Sequence, residues 1–154
     1  MRGVERGGYV LAEAEGGAPR ALIVATGSEV QLAISARRLL AADGIAVRVV
    51  SMPSTTVFDR QDAEWRAEVL PPGVPRVAVE AGATAGWWRY VGAGGAVMGI
   101  DRFGESGPTQ ELFQEMGFTP ERLARVVRTV AERGRGRARR AGARPARRAR
   151  NQRH

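Results

Sequence analysis

Ser106 is the first residue whose surroundings suggest chemistry. It lies in the segment GESGP, residues 104–108, which is similar to the G-x-S-x-G turn that exposes a nucleophilic Ser in hydrolases. Pro108 takes the place of the second Gly, and His154, the one His of the sequence, ends an Arg-rich tail. A Ser nucleophile needs a base held beside it. We therefore predict no catalytic Ser and interpret the segment as a helix-entry loop.

Metal ligands would have to be carboxylates, because the sequence has no Cys and its one His lies in the tail. The pair Asp59 and Asp62 is spaced as on the solvated face of a helix. The same holds for Glu64 and Glu68. The Gly-rich segment GAGG, residues 92–95, precedes a predicted strand and so lacks the context of a dinucleotide-binding turn. We predict no metal site and no catalytic residue.

A weak anion-binding site is predicted at Thr26, Gly27 and Ser28. These residues follow an apolar run and precede a helical pattern, so free N–H groups and the positive helix end should face outward there. Glu29 opposes this prediction because it brings negative charge into the first helical turn. The alternative is ordinary capping, in which Ser28 and Gln31 form a capping box.

The net charge of +8 comes from the C-terminal tail. Residues 133–154 hold ten Arg and no acid, which leaves 14 basic residues against 16 acidic ones in the rest of the chain. No apolar residue larger than Ala or Pro follows Glu132, so no side chain there can offset the entropy of ordering. We expect a disordered tail from Gly134 to His154. Nucleic acid bound through it would be held weakly and non-specifically.

Trp87, Trp88 and Tyr90 form the densest aromatic cluster of the sequence. Aromatic rings beside an Arg such as Arg89 can stack on nucleic-acid bases, and they are also typical anchors of protein interfaces. Because residues 1–132 carry a net charge of −2, we favour the interface or core interpretation. Neighbouring positions of a short helix face different directions, so at least one ring should be exposed.

An α/β sheet must position these residues. Ala21–Ala25 is a continuous apolar run typical of a strand buried on both faces, and a helical pattern from Glu29 to Ala42 separates it from the β-branched run Ala46–Ser51. Such a βαβ unit implies a parallel crossover. Further helices are predicted over residues 59–70, 108–116 and 119–130, and further strands over residues 76–80 and 96–100.

The length of 154 residues, 44% of them apolar, fits one domain with its own core. We assign residues 1–20 to a lead-in in which Gly8–Ala12 can add an edge strand, residues 21–132 to the α/β domain, and residues 133–154 to the tail. No run approaches the roughly 18 apolar residues of a membrane span, and no signal peptide follows Met1. We expect no membrane association and a cytoplasmic location.

These segments together resemble the C-terminal domain of transketolases, and the resemblance extends from about Gly8 to Val130. Its carriers are, in order, ATGSEV at 25–30, VVSMPS at 49–54, Phe58 with Gln61 and Asp62, VLP at 69–71, VEAG at 79–82, Gly86 with Trp87, YVG at 90–92, and DRFG at 101–104 with Ser106 and Pro108. The match is closer to transketolase than to deoxyxylulose phosphate synthase or to pyruvate dehydrogenase β-type subunits. Gly107, where Ala is usual, and the Arg-rich tail depart from the family pattern.

The resemblance implies a three-layer sandwich with a mostly parallel, mixed sheet. Enzymes of this family transfer a two-carbon ketol unit between sugar phosphates of the pentose phosphate pathway, using thiamine diphosphate and a divalent metal such as Mg²⁺. Their cofactor lies between two upstream domains, whereas the C-terminal domain helps to organise the dimer. By this resemblance, the chain alone should bind no cofactor and should have no catalytic residue.

The expected role is therefore that of a structural or association module. Its partners would be separately encoded upstream transketolase domains or a second copy of the chain, because the start at Met1 lies close to the family's domain boundary and fits a split or truncated gene. Two alternatives stay open at this point: a basic-tailed protein that binds nucleic acid non-specifically, and a truncated remnant without function.

Overall fold

A computed structural model describes residues 3–80, 85–92, 94–99 and 118–143 of the chain. The described residues form a mixed sheet of five strands in the order β1-β3-β2-β4-β5, in which β1 is antiparallel to β3 and the other pairs are parallel. The strands are β1 Tyr9–Ala12, β2 Ala21–Ala25, β3 Val47–Ser51, β4 Arg76–Glu80 and β5 Ala96–Gly99.

Helices cover both faces of this sheet, which confirms the expected three-layer α/β sandwich. The helices are α1 Glu29–Ala42, α2 Thr55–Asp59, α3 Ala63–Val69, α4 Trp88–Val91 and α5 Pro120–Ala143, with 3-10 turns at Val4–Arg6 and Ala85–Trp87. Among the described residues, no helix is long and apolar enough to cross a membrane. The predicted helix over residues 108–116 lies outside the described residues.

The central strand β2 divides the core into two halves. Its five residues are fully buried, and alternate residues point to opposite faces because side chains alternate along a strand. Ala21, Ile23 and Ala25 pack with α1 and α5, whereas Leu22 and Val24 pack with α2, α3 and α4. The continuous apolar run that identified this strand is the direct result of burial on both faces.

Helix α1 has the predicted bounds, Glu29 to Ala42. Ala33, Ala36 and Leu40 lie on its buried face, at the spacing that places side chains on one side of a helix. The small Ala side chains allow the helix to lie close to the sheet. Leu40 is fully buried in the same core half as Ile23.

The single helix predicted over residues 59–70 is wrong, because the segment contains the end of α2 and all of α3. Asp62 has an extended backbone (φ −63°, ψ 160°), and its carboxylate accepts a hydrogen bond from the Trp65 N–H at 2.7 Å. This is the geometry of a helix N-cap, so the chain starts a new helix at Ala63. Asp62 is exposed to solvent, as its spacing predicts, but it caps a helix instead of lying on a helix face.

The lead-in adds the edge strand β1 that the sequence suggested. The backbone carbonyl of Gly8 accepts a hydrogen bond from Trp65 Nε1 at 3.2 Å, and the Arg6 guanidinium lies 4.3 Å from the centre of the Trp65 ring. Gly7 adopts a left-handed backbone conformation (φ +78°), and a Cβ there would lie 2.3 Å from the Ser54 carbonyl oxygen. The lead-in is thus fixed against α2 and α3.

The last helix is longer than expected. Disorder was predicted from Gly134 onward, but α5 continues to Ala143, so the prediction is wrong for residues 134–143. Two causes favour the extension. Arg and Ala are strong helix formers. Gly134 also packs closely against Pro75, which its missing Cβ permits, since a Cβ there would lie 2.5 Å from the Pro75 Cγ. The predicted disorder of residues 144–154 concerns a segment outside the described residues and stays a prediction.

We predict that Asp62→Ala lowers the free energy of unfolding by about 1 kcal/mol, because α3 loses its N-cap. Asp62→Asn is the matched control, since the amide oxygen can still accept from Trp65 and should retain most of the stability. Urea unfolding followed by circular dichroism measures both variants. Equal stability of Asp62→Ala and Asp62→Asn would contradict the capping role.

We also predict that removing residues 137–154 changes the unfolding midpoint by less than about 3 °C. The removed sequence contains no apolar side chain larger than Ala or Pro and cannot fill a core. Differential scanning calorimetry of the full and the shortened chain tests this. A larger drop would mean that the removed segment packs against the domain.

Candidate functional site

The carboxyl ends of β2 and β4 meet at one edge of the sheet. Ala25 is paired with Val79, so Thr26 and Glu80 lie next to each other in the register. From this edge the chain continues from β2 to β3 on one side and from β4 to β5 on the other. Ligands of open α/β sheets bind where the connections diverge in this way. The predicted anion site, Thr26 to Ser28, therefore lies at the favoured place of the fold.

Part of the hydrogen-bonding capacity of this loop is used within it. The N–H of Glu29 donates to the Thr26 carbonyl at 3.2 Å, and the N–H of Val30 donates to the Gly27 carbonyl at 3.4 Å. Gly27 makes the turn possible through its left-handed backbone (φ +57°). These two N–H groups are less available to an anion than at a helix with open first-turn donors. Anion binding at Thr26, Gly27 and Ser28 stays a prediction.

The capping box predicted for Ser28 and Gln31 is wrong. Ser28 has a helical backbone (φ −68°, ψ −20°) and makes no side-chain cap, whereas an N-cap residue normally has an extended backbone. Its hydroxyl instead donates to Glu29 Oε1 at 3.1 Å. Ser28 therefore does not cap the helix but donates a hydrogen bond to the carboxyl group of Glu29.

Glu29 is the unexpected residue of this edge. It is only 6% exposed, although its sequence position suggested a solvated first turn. Burial raises the pKa of Glu29 above its usual range, and the nearby Glu80 carboxylate raises it further, whereas its own backbone N–H and the Ser28 hydroxyl oppose the shift. No local sequence signal distinguishes a buried Glu from an exposed one at the start of a helix.

The aromatic cluster is divided between core and surface. Trp87 and Tyr90 are buried, with ring centres 5.6 Å apart and planes tilted by 50°, whereas Trp88 is 51% exposed. The expectation that at least one of the three rings is exposed is confirmed. Whether the three residues form an interface is a separate prediction, and Trp88 is the ring that could contact a partner.

Tyr90 connects this cluster to a charged pair. Its hydroxyl donates to Asp59 Oδ1 at 2.8 Å, and Arg89 pairs with Asp59 Oδ2 at 2.9 Å while its guanidinium lies 4.6 Å from the centre of the Tyr90 ring. Burial raises the pKa of Tyr90 to about 12, and the hydrogen bond to the Asp59 carboxylate adds to the shift. Tyr90 is thus a hydrogen-bond donor at neutral pH. Sequence reasoning missed this contact because 31 positions separate its partners.

The described part of the chain does not fit the metal and diphosphate of thiamine diphosphate. It contains no group of three or more Asp, Glu, His or Cys residues arranged to hold a metal ion. Mg²⁺ bound to a diphosphate requires carboxylate or carbonyl oxygens converging on one point. Ser106 and its neighbours lie outside the described residues, so the prediction about a catalytic Ser stays a prediction.

Comparison with known proteins now identifies the family. The model of the transketolase-like C-terminal domain matches residues 7–119. The transketolase of Geobacillus stearothermophilus is 52% identical over 129 residues, which cover 83% of this chain and 19% of that protein. The crystal structure of the Pichia stipitis transketolase complex with sedoheptulose 7-phosphate superposes with a TM-score of 0.77 at 38% identity, covering 88% of this chain and 19% of that one.

A second similar structure is described as a split-gene transketolase, an inactive β4 tetramer. It has a TM-score of 0.60 at 28% identity, and the match covers 83% of this chain and 43% of that chain. The sandwich with its β2 and β4 edge is thus that of a transketolase-type domain. The chain belongs to the transketolase C-terminal domain family, and it spans about a fifth of the length of the curated transketolases that it matches.

We predict that Glu29 makes folding stability fall as pH rises from its ordinary pKa of about 4.5 toward its raised folded-state pKa. In that window the folded state binds more protons than the unfolded state, so deprotonation favours unfolding. Glu29→Gln should remove this contribution. The gain in free energy of unfolding of the variant over the parent should therefore be larger at neutral pH than at pH 4. Urea unfolding at several pH values measures the difference.

Ser28→Ala is the companion variant, because loss of the hydroxyl donor should raise the pKa of Glu29 further. The carboxyl carbon of Glu29, followed by NMR, would report both pKa values directly. A Glu29 that titrates at its ordinary value would contradict the prediction.

Proposed function

We propose that this domain acts as the C-terminal module of a transketolase-type ketol transferase and supplies structure and association instead of catalytic groups. One observation carries the proposal: the chain matches whole transketolases at about 50% identity, but only over their C-terminal-domain family segment. The absence of a metal-binding cluster among the described residues supports the division of labour. Thiamine diphosphate and Mg²⁺ would be held by other domains.

The partners of the module would be thiamine-binding domains, either in the same polypeptide or in a separate one, or a second copy of this chain. A related protein is described as a split-gene transketolase that forms an inactive tetramer of one chain type. That protein is a precedent for a part of a transketolase that associates with itself and is inactive alone. Binding of nucleic acid has no comparable support from the described residues.

Trp88 is the side chain best suited to such an association. It is large and half exposed, it follows the buried Trp87, and it lies beside Arg89. Exposed Trp and Arg residues are the most frequent energetic anchors of protein interfaces. We propose that Trp88 contacts a neighbouring domain or subunit, whereas Trp87 and Tyr90 stabilise the domain that presents it.

A chimera tests the proposed function. In the Geobacillus stearothermophilus transketolase, the matched 129-residue segment is replaced by the corresponding segment of this chain. We predict that the rate of ketol transfer from xylulose 5-phosphate to ribose 5-phosphate stays within about tenfold of the parent enzyme. A segment that supplies no catalytic group should affect the stabilisation of the transition state little. The isolated chain should show no turnover and no heat of binding with thiamine diphosphate and Mg²⁺.

Two controls make the result specific. The parent enzyme without the segment shows whether the segment is needed, and Trp88→Ala in the chimera should weaken subunit or domain association, measured as lost activity at low protein concentration. A soluble, folded chimera without activity would contradict the proposed function. Saturable micromolar binding of thiamine diphosphate by the isolated chain would contradict its non-catalytic part.

A further inference from the structure

A groove with a volume of about 400 Å³ lies between α3, α4 and the first residue of β4. We call it the Arg66–Arg89 groove. It is lined by the side chains of Phe58, Asp59, Ala63, Arg66, Ala67, Leu70, Arg76, Arg89 and Tyr90. Its size is within the range of small-molecule sites, and its lining combines apolar side chains with a few charged groups, as such sites do.

The groove has an excess of positive charge. Among the described residues, three guanidinium groups and one carboxylate, that of Asp59, line it. Arg76 is half-buried and donates to the carbonyls of Leu70, Pro71 and Tyr90 at 2.8–3.1 Å, but it forms no ion pair with a described carboxylate. Within the described part of the chain, carbonyl dipoles compensate its partly buried charge. An anion entering the groove would complete that compensation.

Two of the guanidinium groups have donors left for a ligand. Arg89 uses one nitrogen for Asp59 and keeps 59% of its side chain exposed. Arg66 is exposed and makes no ion pair or side-chain hydrogen bond with the described part of the chain. Asp59 holds Arg89 through the ion pair, the Tyr90 ring lies against its guanidinium, and the Tyr90 hydroxyl in turn donates to Asp59. One guanidinium is thus positioned in advance, and the other can approach a ligand.

We propose that the Arg66–Arg89 groove binds a small phosphomonoester, with the phosphate between Arg66 and Arg89 and the organic part over the exposed Ala63 and Ala67 of α3. Guanidinium groups match phosphate oxygens with two parallel hydrogen bonds, and two guanidinium groups favour a phosphate over a single carboxylate because the phosphate has more oxygens and about twice the charge. The concave shape favours a small ligand over a protein segment. This binding goes beyond the proposed association role and can be tested apart from it, since it does not use Trp88.

Isothermal titration of the full chain with glucose 6-phosphate tests the proposal, with inorganic phosphate and glucose as the two partial ligands. We expect saturable binding of glucose 6-phosphate, weaker binding of phosphate, and none of glucose. Arg66→Gln should raise the Kd at least about tenfold, which corresponds to about 1.4 kcal/mol. Arg38→Gln, which removes the same charge from an exposed site on α1, is the matched control and should leave the Kd unchanged.

Asp59→Asn supplies an effect in the opposite direction. It removes the negative charge of Asp59, which repels a phosphate, but keeps an oxygen that can accept from Tyr90, whose ring still lies against Arg89. Glucose 6-phosphate should therefore bind more tightly. Circular dichroism and the unfolding midpoint verify that the variants are folded. Absence of saturable glucose 6-phosphate binding up to about 10 mM, roughly tenfold above the weakest typical KM values of enzymes, would overturn the proposal.

Two further results would also overturn it. Equal binding by Arg66→Gln and Arg38→Gln would show that the phosphate is attracted by the overall charge of the chain. Arg66-dependent binding of an acidic peptide without binding of glucose 6-phosphate would identify the groove as a protein-docking site.

Discussion

The structure depends on the burial of one strand on both faces. The five residues of β2 have no solvent exposure, and their backbone is hydrogen-bonded to β3 on one side and to β4 on the other. Because side chains alternate, one short apolar run supplies both halves of the core. The three layers follow from it, and so does the place where the Thr26 to Ser28 loop leaves the sheet.

Arginine side chains hold the connections against this sheet. Arg48 pairs with Glu13 and also donates to the carbonyls of Glu68 and Val69 at the end of α3. Arg76 donates to the carbonyls of Leu70 and Pro71, which follow α3, and to the carbonyl of Tyr90 in α4. A guanidinium has five donors in a rigid plane, so a single residue can satisfy several carbonyl groups that a helix end leaves open. The abundance of Arg thus has a structural use within the domain, in addition to its concentration in the tail.

The family of this domain is identified by residues spread over the fold and not by a set of catalytic residues. Its family membership follows from motifs spread over the whole fold, among them the loop at 26–28 and the strand that ends in Glu80. These motifs coincide with structural needs: a left-handed Gly27, a buried Glu29 held by Ser28, and a buried Trp87. The residues that make the domain recognisable therefore stabilise it, whereas Trp88, Arg66 and Arg89 remain exposed for contacts with other molecules.

The sequence by itself determined the elements whose signal is local. The apolar run of β2, the bounds of α1 and the strand Arg76–Glu80 were predictable because hydrophobic periodicity and β-branched composition act over neighbouring residues. The split between α2 and α3 was missed, although Asp62 carried the signal of a cap. The resemblance to a family implied a mostly parallel, mixed sheet, but the order of the strands was not predicted, since spacing alone leaves several sheet orders open.

Only the tertiary structure decided which polar side chains are buried and which meet. Glu29 looks like any first-turn acid until packing removes it from water, and the Asp59–Tyr90 contact and the shared groove of Arg66, Arg76 and Arg89 join residues that are distant in sequence. The helical continuation of α5 past Glu132 likewise combines local propensity with a contact between Gly134 and Pro75. Burial and long-range contact depend on how whole elements pack, and no window of neighbouring residues contains that information.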